Sequence, residues 1–323
     1  MRGHIVQRAK NKGTWSIVIE LDKDATGKRR QKWVTFQGSH TEASKRLTEL
    51  LHQLDTGSYI QPGKITVAEY LERWLTEYVK PNLSPKGYER YESISRVHLI
   101  PALGKIVLPQ LKSEQLQKLY TTKINSGLAA RTVRYHHTVL HKALQTALKW
   151  GLVARNVADS VDIPRASHNE MQTWNEAELS QFLEAAKDSQ YFALFYTALF
   201  TGMRRSELLA LRWCDVDLIL GQISVSRGLH HLKDGSYIFT QPKSTRSRRT
   251  IALSPSASKL LQNYHDKRQM DAAMLDLSLA DDTLVFSTWD GKPLRPNTVT
   301  RAWQNIATRA GIKVIRLHDA RHT

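Results

Sequence analysis

The spacing of hydrophobic residues changes twice along this chain, and the changes divide its 323 residues into three regions. In the first region, apolar and polar residues alternate over 14–20 (TWSIVIE) and again over 31–36 (QKWVTF), which predicts the two strands of a β-hairpin. The link between the two strands is charged and rich in turn residues. Leucines at helical spacing follow, so a helix is predicted over about 41–54.

The second region, from 66 to about 162, shows only helical spacing. Four or five short helices are predicted there. One of them should run from about 84 to 98 and end at Pro101, because proline interrupts a helix. The last should run from about 130 to 150 and end at Gly151, since glycine commonly terminates a helix.

The third region mixes helices with strands. Strands are predicted at 222–227, 236–241 and 248–253, and a helix at about 296–310. Another helix should break at Thr201-Gly202, where a new one begins. The three regions together predict a multidomain fold that is mainly α with small β-sheets, of the α+β class.

The charge of the chain favours a nucleic-acid partner. Formal net charge is +17, and the regions 1–63, 64–165 and 166–323 contribute +5, +8 and +4. An excess spread over the whole length suits a protein that lies along a polyanion, and the alternative is a basic protein without such a partner. The single cysteine, Cys214, excludes an intrachain disulfide and fits a reducing cytoplasm. No apolar run reaches transmembrane length, so no membrane partner is expected.

Four cationic or proton-carrying residues in three segments suggest the chemistry. Arg204 lies in TGMRRSELLALRW, Lys243 in TQPKSTRSRRTIAL, and His318 with Arg321 in RLHDARHT. In this order the segments resemble the catalytic domain of the tyrosine recombinases, the phage- and transposon-type integrases typified by the lambda integrase. The segment YESISRVHLIPALGKIVLPQLKSEQL in the second region resembles the core-binding domain of the same family.

The resemblance implies three domains. Residues 1–62 would form an arm-site DNA-binding domain with a small β-sheet and one helix. Residues 64–162 would form an all-α, SAM-like core-binding bundle. Residues 168–323 would form a mixed α/β catalytic domain of the DNA breaking-rejoining type.

The resemblance also implies a role for each site residue. Arg204 and Arg321 would hold the non-bridging oxygens of one phosphate, since guanidinium groups bind such oxygens in pairs and stay charged. Glu207, one turn from Arg204, would orient it. Lys243, on or beside a hairpin turn between the second and third strands, would protonate the leaving 5′ oxygen, and His318 would add a hydrogen bond or take the nucleophile's proton. The chemistry needs neither a metal nor ATP, and no cofactor is implied.

Simpler interpretations compete with these roles. Arg204 in isolation is more typical of a surface salt bridge, and the basic residues around Lys243 fit a solvated hairpin. The sequence H-D-A-R-H at 318–322 resembles a zinc-protease motif, but Asp replaces the required Glu and no third ligand follows. A metal-dependent nuclease or protease is therefore disfavoured.

Basic residues outside the catalytic set are candidate DNA contacts. They lie on the first hairpin, on one face of the helix at 130–150 together with His137 and His141, and on the hairpin that carries Lys243. They are Arg29, Arg30, Lys32, Arg131, Arg134 and Arg246. A solvated surface is the competing interpretation for each of them.

The nucleophile of the family is a tyrosine that follows the HxxR segment, and none of the tyrosines here follows His318. The sequence therefore predicts a catalytic domain that is incomplete at its C-terminus and inactive alone. The alternative function is a catalytically inactive DNA-binding fragment, or a repressor-like protein derived from an integrase.

The resemblance implies partners as well. They are duplex attachment sites, other copies of the chain on DNA, which form a tetramer in the intact family, and accessory DNA-bending or directionality proteins. The expected location is the cytoplasm of a bacterial or phage-infected cell.

We expect the chain to bind duplex DNA with an affinity that falls steeply as salt rises, because each neutralised phosphate releases counterions. Mobility-shift titrations at several salt concentrations measure this dependence. An affinity that barely changes with salt would contradict the charge-based interpretation.

Overall fold

A computed structural model of the chain has two compact units, Met1–Ser167 and His168–Thr323. It describes residues 3–7, 13–21, 30–55, 64–166, 170–241, 249–274 and 278–322. The predicted fold class is confirmed, because helices predominate and the strands form small antiparallel sheets. The division of the first unit near residues 62–64 stays a prediction.

The chain begins with a three-stranded antiparallel sheet in the order β1-β2-β3. The predicted hairpin is confirmed as β2 (Thr14–Leu21) and β3 (Arg30–Gln37), which pair along their whole length. The additional strand β1 (Gly3–Gln7) pairs with β2. It was missed because GHIVQ has only two adjacent apolar residues and no alternation.

The first helix, His40–Asp55, packs on this sheet. It begins after Ser39, whose backbone N–H donates to the Glu42 carboxylate at 2.8 Å, as in a capping box. Leu50 from the helix meets Ile17 and Ile19 of β2 in a small core.

The remainder of the first unit is helical, as the spacing predicts. Two of its helices continue without a break through a π-helical turn. The segments are Val67–Trp74, Leu75–Val79 (π) and Lys80–Asn82; Pro85–Ile94, Ser95–Leu99 (π) and Ile100–Leu103; and then Ser113–Asn125 and Ala130–Lys149. Gly151, with φ of 68°, follows the last of them, as predicted.

The prediction that a helix ends at Pro101 is wrong, because the helix continues to Leu103. In an α-helix a proline lacks one donor, and its ring meets the carbonyl four residues earlier. Here the preceding turn is π-helical, and the Ile100 N–H donates to the Ser95 carbonyl five residues back. The same arrangement precedes Pro81. A wider turn before each proline thus lets both helices continue.

The core of the helical region contains Tyr70, Trp74 and Tyr120, all fully buried. The Tyr70 hydroxyl donates to the carbonyl of Ala143 at 2.5 Å, and the Trp74 indole N–H donates to Thr146 Oγ1 at 3.2 Å. These bonds satisfy the polar ends of large core residues and fix the long helix Ala130–Lys149 against the helix Val67–Trp74.

The second unit has five helices and five strands among the described residues. The helices are Glu176–Ala186, Phe192–Thr201, Arg205–Leu208, Pro255–Ala273 and Pro296–Arg309. The strands are β4 (Val216–Asp217), β5 (Gln222–Val225), β6 (Gly228–His231), β7 (Tyr237–Thr240) and β8 (Arg249–Ala252). They form two sheets, β4-β5-β8 and β6-β7.

The prediction that the strands on either side of Lys243 form a hairpin is wrong. β7 pairs with β6, and β8 pairs with β5, so the two strands lie in different sheets. The signal for the actual hairpin is Asp234-Gly235, a strong turn dipeptide in which Gly235 has φ of 88°. Ile223 and Val225 of β5 are buried, which favours the pairing of β5 with β8.

The core of the second unit is built around Trp303, which is fully buried and stacks on Trp174 with ring centroids 4.8 Å apart. The indole N–H of Trp174 donates to the carbonyl of Lys313 at 2.7 Å, and that of Trp303 to the carbonyl of Ile315 at 2.9 Å. The two tryptophans therefore hold the segment that leads into His318. Across the described part of the chain, no helix is both long and apolar enough to cross a membrane.

A buried histidine gives the first unit a predicted pH dependence. Burial, together with the nearby His98 and Lys123, lowers the pKa of His136 to about 4. The unfolded state therefore binds the proton more tightly, so the free energy of unfolding should fall as pH drops from about 6.5 to 4, by up to about 3 kcal/mol. His136→Gln should flatten this slope in urea unfolding curves.

An equal slope in the His136 variant would show that His136 is not the titrating group.

Candidate active site

A glycine places Arg204 at the start of a short helix. The helix Phe192–Thr201 ends at Gly202, whose φ of 59° lies in the left-handed region that favours glycine. Arg204 is then the N-cap residue of Arg205–Leu208. The sequence predicts this position, but a single turn has only a small dipole, so the guanidinium group is the main source of positive charge there.

The carboxylate of Glu207 binds two guanidinium groups. Oε1 accepts from Arg204 Nη1 at 2.9 Å, and Oε2 accepts from the Arg204 backbone N–H at 2.8 Å. Arg249 donates to the same two oxygens, with Nη2 at 2.8 Å and Nη1 at 3.2 Å. Only 8% of Glu207 is exposed, so the carboxylate is a buried anchor for both arginines.

The charge of Glu207 is stabilised by these contacts. Burial acts to raise its pKa, but the hydrogen bonds from Arg249 and Arg204 outweigh burial and lower the pKa below the ordinary value for a glutamate. Glu207 is therefore ionised at neutral pH.

Arg321 is electrostatically coupled to the same group. Burial lowers its pKa, and the positive charges of Arg204 and Arg249 lower it further, while Glu207 acts in the opposite direction. Its Nε is buried and has no acceptor among the described residues. A β-carbon at Gly202 would lie 3.9 Å from the Arg321 carbonyl oxygen, so the two motifs meet. We call Arg204, Glu207, Arg249 and Arg321 the arginine–glutamate cluster.

The HxxR segment forms a tight turn next to this cluster. Asp319, buried at 4% exposure, accepts from Arg316 Nε at 2.7 Å and Nη2 at 3.0 Å, which fixes the start of the 3₁₀ turn Asp319–His322. His318 lies immediately before this turn and is exposed. The sequence gives no reason to single out the Arg316–Asp319 pair.

The cluster has a surplus of positive charge. Two guanidinium groups bind one carboxylate, and a third, that of Arg321, is electrostatically coupled to them and has a buried Nε without an acceptor among the described residues. Such a site is complementary to an oxyanion, because a phosphate would neutralise the surplus and accept from the remaining donors.

Several of the predicted site residues lie away from the arginine–glutamate cluster or outside the described residues. Lys243, Arg246 and Arg29 fall outside the described residues. Arg30 begins β3, and Lys32 lies on the same side of that strand as Val34 and Phe36, which pack on the core. Their contacts with DNA stay predictions.

The four residues predicted to share a face of the helix Ala130–Lys149 have different environments. Arg131 and Arg134 are exposed and remain candidate DNA contacts. His137 is buried and its Nδ1 bonds the Tyr120 hydroxyl at 3.1 Å, so the expectation of a common outward face is wrong for it. His141 pairs with Asp159 at 2.7 Å. Within the described ranges, no three His, Cys, Asp or Glu side chains are grouped as a metal site.

Arg249 is the site residue that sequence reasoning missed. The available signal was a basic residue at the start of a strand, RTIA, but adjacent arginines made it one of several equivalent candidates. Only the pairing of β8 with β5 brings Arg249 to Glu207.

Comparison with known sequences identifies the group to which these motifs belong. The sequence profile of the phage integrase family matches residues 172–323, and that of the SAM-like N-terminal domain of phage integrases matches 66–124. The chain belongs to the phage integrase family. The resemblance to the tyrosine recombinases is thereby confirmed.

Individual relatives span most of the integrase chain. A tyrosine recombinase XerC-like protein of Caldanaerobacter subterraneus subsp. tengcongensis is 24% identical over 328 residues, which cover 96% of this chain and 83% of the relative. An integrase of Streptomyces ambofaciens is 28% identical over 303 residues, with 90% and 75% covered.

Two solved structures share the fold of this integrase. The Tn1549 transposon integrase in complex with a circular intermediate DNA has a TM-score of 0.69 at 19% identity, over 80% of this chain and 85% of the other. A lambda integrase tetramer bound to a Holliday junction has a TM-score of 0.59 at 17% identity, over 98% and 88%.

We expect inorganic phosphate to bind the arginine–glutamate cluster and raise the thermal stability of the integrase. A concentration of about ten times Kd should add about 1.4 kcal/mol. Thermal melts with phosphate, compared with chloride at equal ionic strength, measure the effect. Arg321→Ala should remove it.

Phosphate also stabilises proteins by exclusion from their surfaces, so a matched arginine is needed as a control. Arg301 is exposed on the helix Pro296–Arg309, and Arg301→Ala should retain the full increase. Equal increases in both variants would show that the cluster does not hold the anion.

Proposed function

We propose that this integrase is a site-specific DNA recombinase that cleaves and rejoins strands through a 3′-phosphotyrosine intermediate, without metal or ATP. Its role would be to integrate or excise a mobile element. The observation that carries the proposal is the arginine–glutamate cluster, because its surplus positive charge matches the charge of a phosphodiester under attack. Family membership supports the same chemistry.

The proposed mechanism begins with binding of the scissile phosphate. Attack on phosphorus places additional negative charge on the two non-bridging oxygens, which Arg204 and Arg321 would neutralise. The unused Nε donor of Arg321 supports its assignment to one of these oxygens. Guanidinium groups carry a fixed positive charge in proteins, so such a pair can take the place of metal ions.

Glu207 and Arg249 would act as positioning residues. Glu207 holds the guanidinium of Arg204 through one oxygen and its backbone through the other. Arg249, at the start of β8, donates to both oxygens of the same carboxylate, which restricts the rotation of the Glu207 side chain. Their function would be to keep Arg204 in one geometry before the substrate arrives.

His318 and Lys243 would handle protons. The exposed position of His318, next to the turn that carries Arg321, supports a hydrogen bond to the phosphate or proton transfer from the nucleophile. Lys243 would protonate the leaving 5′ oxygen, a role that rests on the family motif. We assign the nucleophile to no tyrosine of this sequence.

The proposed substrate is duplex DNA at attachment sites, bound in the cytoplasm by several copies of the integrase. The Tn1549 integrase is seen with a circular intermediate DNA, and the lambda integrase as a tetramer on a Holliday junction. The basic charge of every region supports the same substrate. Accessory DNA-bending or directionality proteins are part of the proposal through the family alone.

The function is tested by excision in cells that carry the gene at its natural locus. Arg204→Ala and Arg321→Ala should each lower the yield of recombinant junctions by at least about 10²-fold, since each removes a donor to the transition state. Quantitative amplification across the junctions measures the yield.

Duplex binding by the same variants, measured by mobility shift, should stay within about threefold, because one phosphate contact among many is lost. Arg301→Ala is the matched control for excision. Wild-type junction yield in the Arg321 variant would refute the proposed mechanism.

A further inference from the structure

The second unit contains a cavity whose lining excludes every residue of the arginine–glutamate cluster. Its volume is about 910 Å³. One wall is a full face of the helix Pro255–Ala273, and the other two are the segments 187–193 and 287–294. A volume of this size falls in the range of about 300–1,000 Å³ that is typical of small-molecule sites.

The floor of the cavity is apolar and belongs to the core. Tyr191, Leu260, Tyr264 and Leu294 line it and pack against the buried residues of the unit. At the rim stands Trp289, which is 78% exposed. An indole held in solvent beside an aromatic floor is a surface on which a planar ring stacks favourably.

The helix wall supplies positive charge. Lys259 and Lys267 lie eight residues apart on the same face, and both are exposed. Within the part of the chain that the structure describes, neither has an ion-pair partner, whereas Lys187 across the cavity pairs with Glu184. Among the described residues that line the cavity, Asp271 is the one acidic side chain.

Arg268 links the walls and retains an unused donor. Its Nη2 donates to Ser287 Oγ at 2.9 Å and to the Thr288 carbonyl at 3.3 Å, which ties the helix to the segment bearing Trp289. Its Nε is buried and has no acceptor among the described residues. Buried donors of this kind are normally satisfied, so Nε is a candidate contact for a ligand oxygen or ring nitrogen.

We propose that this cavity binds a nucleotide. The base would stack on Trp289 over the aromatic floor, the phosphates would lie against Lys259 and Lys267, and Arg268 would bond a polar atom of the ligand. A base within a duplex is stacked and paired, so the nucleotide is either a free nucleoside phosphate or an unpaired nucleotide of a DNA strand.

Calorimetric titrations of the whole chain test the proposal and separate the two sources. The probes are ATP, adenosine, inorganic triphosphate and a five-residue oligothymidylate. Either ATP or the oligothymidylate should bind with a Kd below about 1 mM. Binding of ATP identifies a free nucleotide, and binding of the oligothymidylate alone identifies a DNA strand. Where ATP binds, adenosine and triphosphate should each bind at least about tenfold more weakly, because each lacks one half of the contacts.

Variants at the rim identify the site. Trp289→Ala should raise Kd at least about fivefold through the loss of base stacking. The double variant Lys259→Glu with Lys267→Glu should remove measurable binding. All probes are titrated in the background of Arg204→Ala with Arg321→Ala, so that anion binding at the arginine–glutamate cluster does not contribute, and binding in the cavity should persist there.

Matched controls account for general effects of charge and aromatic content. Trp33→Ala removes a tryptophan that is 59% exposed on β3. Lys118→Glu with Lys149→Glu reverses two exposed lysines in the first unit. Both controls should bind normally. The proposal is overturned if no probe binds, if triphosphate binds as tightly as ATP, or if the controls lose binding as the rim variants do.

Discussion

The ionised carboxylate of Glu207 is the constraint on which the site depends. The three guanidinium groups repel one another in a partly buried space, and the carboxylate reduces that repulsion by accepting hydrogen bonds at 2.8–3.2 Å from two of them, Arg204 and Arg249. The cluster keeps a surplus of positive charge, which is complementary to an anion. The hydrogen bonds of Glu207 therefore hold Arg204 and Arg249 in place without a ligand, which is the kind of preorganisation that the proposed binding of phosphate would use.

The position of the HxxR turn depends on the core of the second unit rather than on the turn itself. Trp174 and Lys313 are 139 residues apart in sequence, yet the indole of one binds the carbonyl of the other. Trp303 holds the chain two residues further on. Packing of aromatic rings thus fixes the direction in which the backbone enters the site. A substitution in this core would therefore shift the arginines of the cluster although it is not in contact with them.

Local patterns in the sequence predict most elements of this integrase but not their pairing. Alternation predicts β2 and β3, and helical spacing predicts the bundle. The helix through Pro101 was missed because a π turn leaves no mark in local spacing. The pairing of β8 with β5 was missed because it depends on which strands bury their side chains together. Arg249 was missed for the same reason, since its partner Glu207 is distant in sequence and adjacent only after folding.

The two π turns make each proline and the residues before it interdependent. A π turn accommodates one more residue than an α turn, so everything beyond it is rotated by about 100° relative to an uninterrupted helix. Pro101 follows that wider turn, and Leu103, on the segment beyond it, is buried. Replacement of the proline and deletion of the extra residue of the π turn are therefore energetically coupled. A deletion or insertion near Ser95–Leu99 changes the packing of the core because it rotates the whole end of the helix.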